Sequence, residues 1–303
     1  MNSKNRLADV WLLLVAFIWG TTFVIVQNAI AFLPPFTFNG VRFLLAGIVM
    51  LIPVLLKFRL KKIENKKTVL FSGMIMGAFL FIGYGFQTIG LVYTTSSKAA
   101  FITGLSVVLV PLFSLLLFKQ LPRLIVWISC LLSISGLYMM TMAGGEGFNL
   151  GDFFVLICAF GFALHIIVTG KFSSTLDATL LTIVQIFTVG ILSMGTAFFL
   201  EDWQKALNPT YIFQPDVIFA LFVTALLATA LAFFIQTKVQ RYTSATRVAI
   251  IFAFEPVFAA LTSFIALGET LSLAAGLGSL LIFSSMILAE LPSKSKPQVP
   301  VQS

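Results

Sequence analysis

A chain of 303 residues that is 59% hydrophobic and 10% charged, with a mean hydropathy of +1.05, lies far outside the range of a soluble globular domain. Its formal net charge of +8 would suit a nucleic-acid binder, but the basic residues stand in short segments between long apolar runs. That placement is a membrane-topology signal and excludes a basic face for nucleic acid. Cys130 and Cys158 lie inside apolar runs without neighbouring ligands and read as packing residues.

At about 20 apolar residues per span, the chain predicts ten helices: 10–29, 36–56, 69–91, 99–118, 124–142, 151–168, 180–200, 217–235, 248–267 and 271–288. Residues 1–31 carry some features of a signal peptide, with Lys4 and Arg6 in front and Ala29-Ile30-Ala31 as a cleavage-like end. The apolar stretch is longer than a signal core, so it reads as a retained helix. Turn chemistry marks the breaks at Pro34-Pro35, Gly144-Gly145, Asn208-Pro209 and Gly268. The tail, 289–303, is polar, holds Pro292, Pro297 and Pro300, and is expected to be disordered.

Sixteen of the nineteen lysines and arginines fall on one side if the N-terminus is inside. Only Lys98 and Lys205 fall on the other side; Lys98 there and Arg247 on the inner side are expected to cap helix ends at the interface. Arg42 lies within a helix. The positive-inside rule then places both termini, 1–9 and 289–303, in the cytoplasm of a multi-pass protein of the plasma (bacterial inner) membrane. The basic run 57–67 reads as a solvated loop touching anionic lipid. The segment with Glu201, Asp202 and Trp203 reads as an outer membrane-surface loop.

The chain also repeats itself. A shift of 143 lays Asp9 on Asp152, and a shift of 149 lays Tyr93, Thr94 and Lys98 on Tyr242, Thr243 and Arg247. Apolar matches accompany these, but the polar ones carry the signal. The predicted organisation is therefore all-α, with two five-helix repeats, 10–142 and 151–288, joined by an outer linker, 143–150. An odd number of spans per repeat inverts one half relative to the other. Inverted repeats are a transporter device, with substrate held between the halves near the midplane. Gly73 and Gly77 form a GxxxG pair suited to close helix approach.

Several stretches resemble the drug/metabolite transporter superfamily, in particular its ten-helix EamA-type members. They are Phe17-Ile18-Trp19-Gly20-Thr21-Thr22-Phe23, Arg42-Phe43-Leu44-Leu45-Ala46-Gly47, Lys98-Ala99-Ala100-Phe101-Ile102-Thr103-Gly104-Leu105 with Val108-Leu109-Val110-Pro111, and Glu255-Pro256-Val257-Phe258-Ala259-Ala260 leading to Leu267-Gly268-Glu269. The resemblance covers about residues 8–290. It implies a transporter of small metabolites, often an exporter, including of amino acids and drug-like compounds. It names no substrate. The first half departs from the pattern, with Lys119-Gln120 where the second half has Gly268-Glu269.

Charges inside apolar helices point to the site. Glu255 precedes Pro256, which cannot donate a backbone hydrogen bond and frees a carbonyl one turn earlier. Such breaks are tolerated in a bilayer where they face protein or a water-filled cavity. Arg42 lies on the order of 9 Å below the outer end of its helix at 1.5 Å per residue, close enough in level to Glu255 for the two to pair or to share a substrate. Arg42 offers a guanidinium to a carboxylate or phosphate, and Glu255 offers a carboxylate to an amine or a coupling proton. His165, the one histidine, is a candidate proton relay. Gln185, opposite Arg42 in the repeat, together with Trp19, Asn39, Tyr84 and Gln87, supplies candidate neutral contacts to substrate. Packing, snorkelling or a structural ion pair are the competing explanations for the same residues.

A secondary transporter working by alternating access fits these features. A channel or facilitator is the alternative, and an intramembrane enzyme the weaker one, since the chain has no G-x-S-x-G, no H-E-x-x-H and a single histidine. No Walker-type loop is present, so the reading includes no nucleotide-driven step, no metal and no cofactor beyond a coupling proton. The expected partners are a small-molecule substrate and the lipid bilayer, with no nucleic acid. Monomer and homodimer both stay open.

Overall fold

The computed structural model describes residues 3–56, 65–119, 121–141, 148–267 and 273–290. All regular structure among them is helical. The helices are α1 (Ser3–Ala29), α2 (Pro35–Leu56), α3 (Lys66–Tyr93), α4 (Ser96–Gly104), α5 (Ser106–Phe118), α6 (Leu124–Thr141), α7 (Leu150–Ser173) and α8 (Ala178–Leu200). There follow α9 (Pro209–Ile212), α10 (Pro215–Val223), a π-helical segment (Thr224–Leu231), α11 (Ala232–Val239), α12 (Ala245–Phe252), α13 (Glu255–Leu267) and α14 (Leu273–Glu290). Most of the predicted basic loop, the Gly144-Gly145 turn, Gln120, Gly268-Glu269, the start of the tenth predicted helix and the tail after Glu290 lie outside the described residues.

Among the described residues, eight stretches are long and apolar enough to cross a membrane: Arg6–Ala29, Pro35–Leu56, Lys66–Tyr93, Lys98–Leu117, Leu150–Ser173, Ala178–Leu200, Pro215–Tyr242 and Ala245–Thr262. Two shorter apolar stretches, Leu124–Met139 and Gly276–Ser285, lie in α6 and α14. These two helices pack on each other and share a hydrogen bond of 2.6 Å between the hydroxyls of Ser133 and Ser285.

Burial is inverted relative to a water-soluble fold. Leu116, Ile191, Phe222 and Leu280 are exposed on the outside, whereas Asn39, Arg42, Thr182, Gln185 and Thr237 are buried. A surface this apolar suits a hydrocarbon solvent, and it leaves the interior as the only place for polar groups to find partners.

Three helices depart from the sequence expectation. The fourth predicted helix, 99–118, is interrupted at Leu105 and so divides into α4 and α5. The ninth, 248–267, is interrupted at Ala253 and Phe254, immediately before Pro256, and divides into α12 and α13. Pro256 costs nothing there, because first-turn N–H groups have no partner within the helix. The eighth contains the wide π turn at Thr224–Leu231.

The tightest packing joins the two halves of the chain. α3 lies against α7 and α8, α2 against α8, and α1 against α13. Gly73 and Gly77 set the α3–α8 distance. A methyl group on Gly73 would stand 2.6 Å from Val184, and one on Gly77 would stand 2.8 Å from the carbonyl oxygen of Gln185. At the end of α8, the Glu201 carboxylate reaches the start of α2. It accepts hydrogen bonds from the N–H of Phe36 (2.9 Å), and from the N–H (2.8 Å) and hydroxyl (2.9 Å) of Thr37. A carboxylate there satisfies orphan amides and the positive end of the helix dipole.

Overpacking a close helix contact costs about 1–3 kcal/mol. Gly77→Ala is therefore expected to lower the thermal midpoint of the detergent-purified protein, while Gly195→Ala, in open space, leaves it unchanged. Unfolding monitored by size-exclusion after heating separates the two.

Candidate functional site

An interior cavity of about 50 Å³ is walled by α1, α2, α3, α7 and α11 and by residues on either side of both helix interruptions. Of the residues singled out in the sequence, Trp19, Arg42, Tyr84, Gln87, His165 and Glu255 line it. Its volume admits a few water molecules and is a third of the roughly 150 Å³ that holds a benzene. A metabolite enters only when the walls part.

Arg42 is 2% exposed and held in place. Its Nε donates to Thr229 Oγ1 at 2.8 Å. Its guanidinium carbon lies 4.8 Å from the centre of the Tyr84 ring and 5.2 Å from that of Phe43. Cation–π contacts with desolvated rings offset part of the cost of burying the charge. Thr229 belongs to the π-helical segment, and so does Ala228, whose carbonyl accepts from Trp19 Nε1 at 2.7 Å. Two cavity residues from the first half thus anchor on one irregular turn of the second. Single π turns occur often at functional sites.

Glu255 faces the cavity from the first turn of α13, where the helix dipole favours an anion. No hydrogen bond or ion pair engages its carboxylate among the described residues, and Arg42 and Glu255 form no ion pair there. Phe252, whose carbonyl Pro256 cannot serve, also lines the cavity. Across the cavity the other interruption presents Thr103, Gly104 and Ser106. Ser106 stands 149 positions before Glu255, so the two helix breaks occupy corresponding places in the repeat register.

His165 Nε2 lies 2.8 Å from Gln185 Oε1 and 3.2 Å from Thr169 Oγ1. Gln185 Nε2 in turn donates to Thr237 Oγ1 at 3.1 Å. Gln185 therefore sits behind the cavity wall, orienting His165. Asn39 is also behind the wall. It donates to the Tyr84 carbonyl (3.2 Å) and to Thr88 Oγ1 (2.8 Å), tying α2 to α3. Gln87 Nε2 donates to Thr103 Oγ1 at 3.2 Å, tying α3 to the end of α4.

Sequence reasoning missed Thr22, Thr88, Thr103, Phe162, Phe233 and Gln236, all in the lining. Small hydroxyls and phenylalanines are common in membrane helices and carry no signal of their own. Ser106 was missed too, although its position 149 residues before Glu255 is a signal that could have marked it. Lys98 and Arg247, expected as helix-end caps at the interface, each pair with a carboxylate instead. Lys98 Nζ lies 2.7 Å from Asp152 Oδ2, and Arg247 Nη2 lies 2.5 Å from Asp9 Oδ2. Each carboxylate stands where it neutralises a charge the bundle has partly or fully withdrawn from solvent.

An all-helical, multi-pass membrane protein with charged groups around an interior cavity between its halves defines a class of solute-handling protein. The family model described as EamA-like transporter family matches the chain twice, at residues 6–142 and 149–291. An uncharacterized transporter of Archaeoglobus fulgidus is 36% identical over 288 residues, which are 95% of this chain and 87% of that one. The S-adenosylmethionine/S-adenosylhomocysteine transporter of Chlamydia muridarum is 29% identical over 275 residues, 84% of this chain and 82% of that one. A solved crystal structure superposes with a TM-score of 0.76 at 18% identity, covering 94% of this chain and 96% of its own. The chain belongs to the EamA-like transporter family, within the drug/metabolite transporter superfamily, and is a membrane transporter.

The positions behind the wall and those in it separate by experiment. Losing a buried hydrogen-bonding side chain costs about 1–3 kcal/mol. Asn39→Ala is expected to lower the thermal midpoint in detergent while the folded fraction keeps the parent's substrate selectivity. A changed ranking of substrates by folded Asn39→Ala would place Asn39 in the site.

Proposed function

We propose that the protein is a secondary transporter that exports small metabolites carrying both an anionic group and an amine, such as amino acids or drug-like amphipathic compounds. It works by alternating access across the plasma membrane. The observation that carries this reading is the pair of opposite charges in one cavity, Arg42 and Glu255, brought from opposite halves of the chain and not neutralising each other. A group with no protein partner in a membrane interior has its partner elsewhere, and a ligand with the opposite charge supplies it. On this reading Arg42 receives the carboxylate or phosphate, Glu255 receives the amine or a coupling proton, and His165 and Gln87 contribute neutral hydrogen bonds. The relative from Chlamydia muridarum bears the name of a substrate pair whose chemistry includes an amine and a carboxylate, which suits the same two charges.

The reading includes ten membrane helices in two inverted five-helix repeats, 10–142 and 151–288, with both termini in the cytoplasm. The double family match, the two interruptions in register, and the bias of lysine and arginine support it.

The test is the extracellular metabolite profile of cells making the intact chain, set against cells making Arg42→Ala at equal membrane levels. A small set of compounds bearing both charges is expected outside only with the intact chain. A hydrogen bond to a charged group is worth about 1.5–3 kcal/mol, so Arg42→Ala should lower their export by about tenfold or more. Equal export by folded Arg42→Ala would falsify the assignment. Glu255→Gln is expected to flatten the pH dependence of transport in proteoliposomes, and an unchanged pH profile would move the proton to another group.

A further inference from the structure

The ion pairs Lys98–Asp152 and Arg247–Asp9 lie at opposite ends of the bundle. Gln27 of α1 donates to the carbonyls of Leu91 and Thr94 (3.3 and 3.2 Å), and Thr94 Oγ1 donates to Asp152 Oδ1 at 2.6 Å. Residue 27 of α1 is therefore at the Asp152 end. Asp9 stands eighteen residues earlier in the same helix, about 27 Å away at 1.5 Å per residue. The cavity-lining residues of α1, Thr22 and Val26 among them, fall between.

Each cation sits on a short half-helix of matching construction. α4 opens with Thr95, whose side chain accepts from the N–H of Lys98, and α12 opens with Ser244, whose side chain accepts from the N–H of Arg247. From there α4 runs nine residues and α12 eight, each about 12–13 Å, and each ends at an interruption that lines the cavity. A half-helix is thus clamped at the membrane surface by its ion pair and meets the site at its other end. Each clamp also joins opposite halves of the chain.

The two clamps differ in tightness. Lys98 and Asp152 expose 5% and 1% of their side chains, and Asp152 also accepts from Thr94 and from the N–H of Asn149 at 2.9 Å. Arg247 and Asp9 expose 18% and 13%. Thr243, the counterpart of Thr94 in the repeat register, has a buried hydroxyl with no hydrogen-bond partner among the described residues. A second cavity of about 380 Å³ opens beside this pair, lined by Arg123, Arg241, Thr243 and Arg247 among others.

We infer that Lys98–Asp152 and Arg247–Asp9 are the two gates of the transport cycle, each holding one half-helix shut over the central cavity, and that this conformation has the Lys98 gate locked and the Arg247 gate slack. The inference rests on the alternating-access reading. Release of one pair frees its half-helix to swing about Leu105 or about Ala253-Phe254 and opens the cavity to that side. Lys98, Asp152, Arg247 and Asp9 are positioning residues and need not touch substrate.

The test is side-specific labelling, which requires no substrate. Ser106→Cys in a chain carrying Cys130→Ala and Cys158→Ala places a reporter thiol in the cavity. Membrane vesicles of each orientation are exposed to a membrane-impermeant maleimide. With both pairs intact, the reporter is expected to label faster from the Asp9 side. Lys98→Met should raise labelling from the Asp152 side alone, and Arg247→Met from the Asp9 side alone, each by roughly tenfold, the scale of a typical coupling between two states. The exchanged pair Lys98→Asp with Asp152→Lys should return the rate toward the parent. If the methionine variants give no monodisperse protein, Asp152→Asn and Asp9→Asn carry the same expectation. Folded variants whose labelling is unchanged, or raised equally from both sides, overturn the gates. Faster labelling of the parent from the Asp152 side overturns the assignment of the locked end. A protein that shows no export yet passes this test loses its substrate reading and keeps its gates, and the reverse result does the opposite.

Discussion

A guanidinium withdrawn from water inside a bundle whose outside is hydrocarbon is the constraint from which much else follows. Insertion scales put such a charge at about 2.5–3.5 kcal/mol, so its surroundings must return part of that. Here Tyr84 and Phe43 lend ring faces and Thr229 lends an oxygen. Thr229 is in place because the helix around it widens into a π turn, and Trp19 fastens to the adjoining carbonyl of the same turn. Burial, ring contacts and the irregular turn thus form one solution to one electrostatic problem.

The polar network behind the wall answers the same constraint differently. Asn39 through its amide N–H groups and Gln185 through both ends of its amide bond to protein, and in doing so they fix the carbonyl side of Tyr84 and the imidazole of His165. The interior polar groups here therefore include some that close on one another and some that face the cavity. Glu255 has no hydrogen bond or ion pair among the described residues, and Arg42 bonds Thr229 and lies against the rings of Tyr84 and Phe43.

Much of this was legible beforehand, for a physical reason. In helices apolar all round, a polar residue is conspicuous wherever it stands, and Trp19, Arg42, Tyr84, Gln87, His165 and Glu255 were found that way. The same conspicuousness could not tell a wall from its backing, because without an amphipathic face a helix does not reveal its rotation. Asn39 and Gln185 were read as lining for that reason. The break after α12 was visible in Pro256. The break after α4 has no proline at its hinge, and the sequence reading ran one helix through it. The π turn at Thr224–Leu231 has neither proline nor glycine to mark it, and the packing of Trp19 and Arg42 is its only evident cause.

The Glu201 carboxylate on the first amides of α2 has a consequence for what the site measures. It ties α2 to α8, so Arg42 stands on a helix fastened to the other half of the chain. Glu255 stands beside the interruption between α12 and α13, about which the half-helix swings in the proposed cycle. The spacing between the two charges is then a property of the conformation. A molecule whose own charges are spaced to match one conformation stabilises it, and one with a different spacing does not. Selectivity in such a protein is a matter of length as well as of sign.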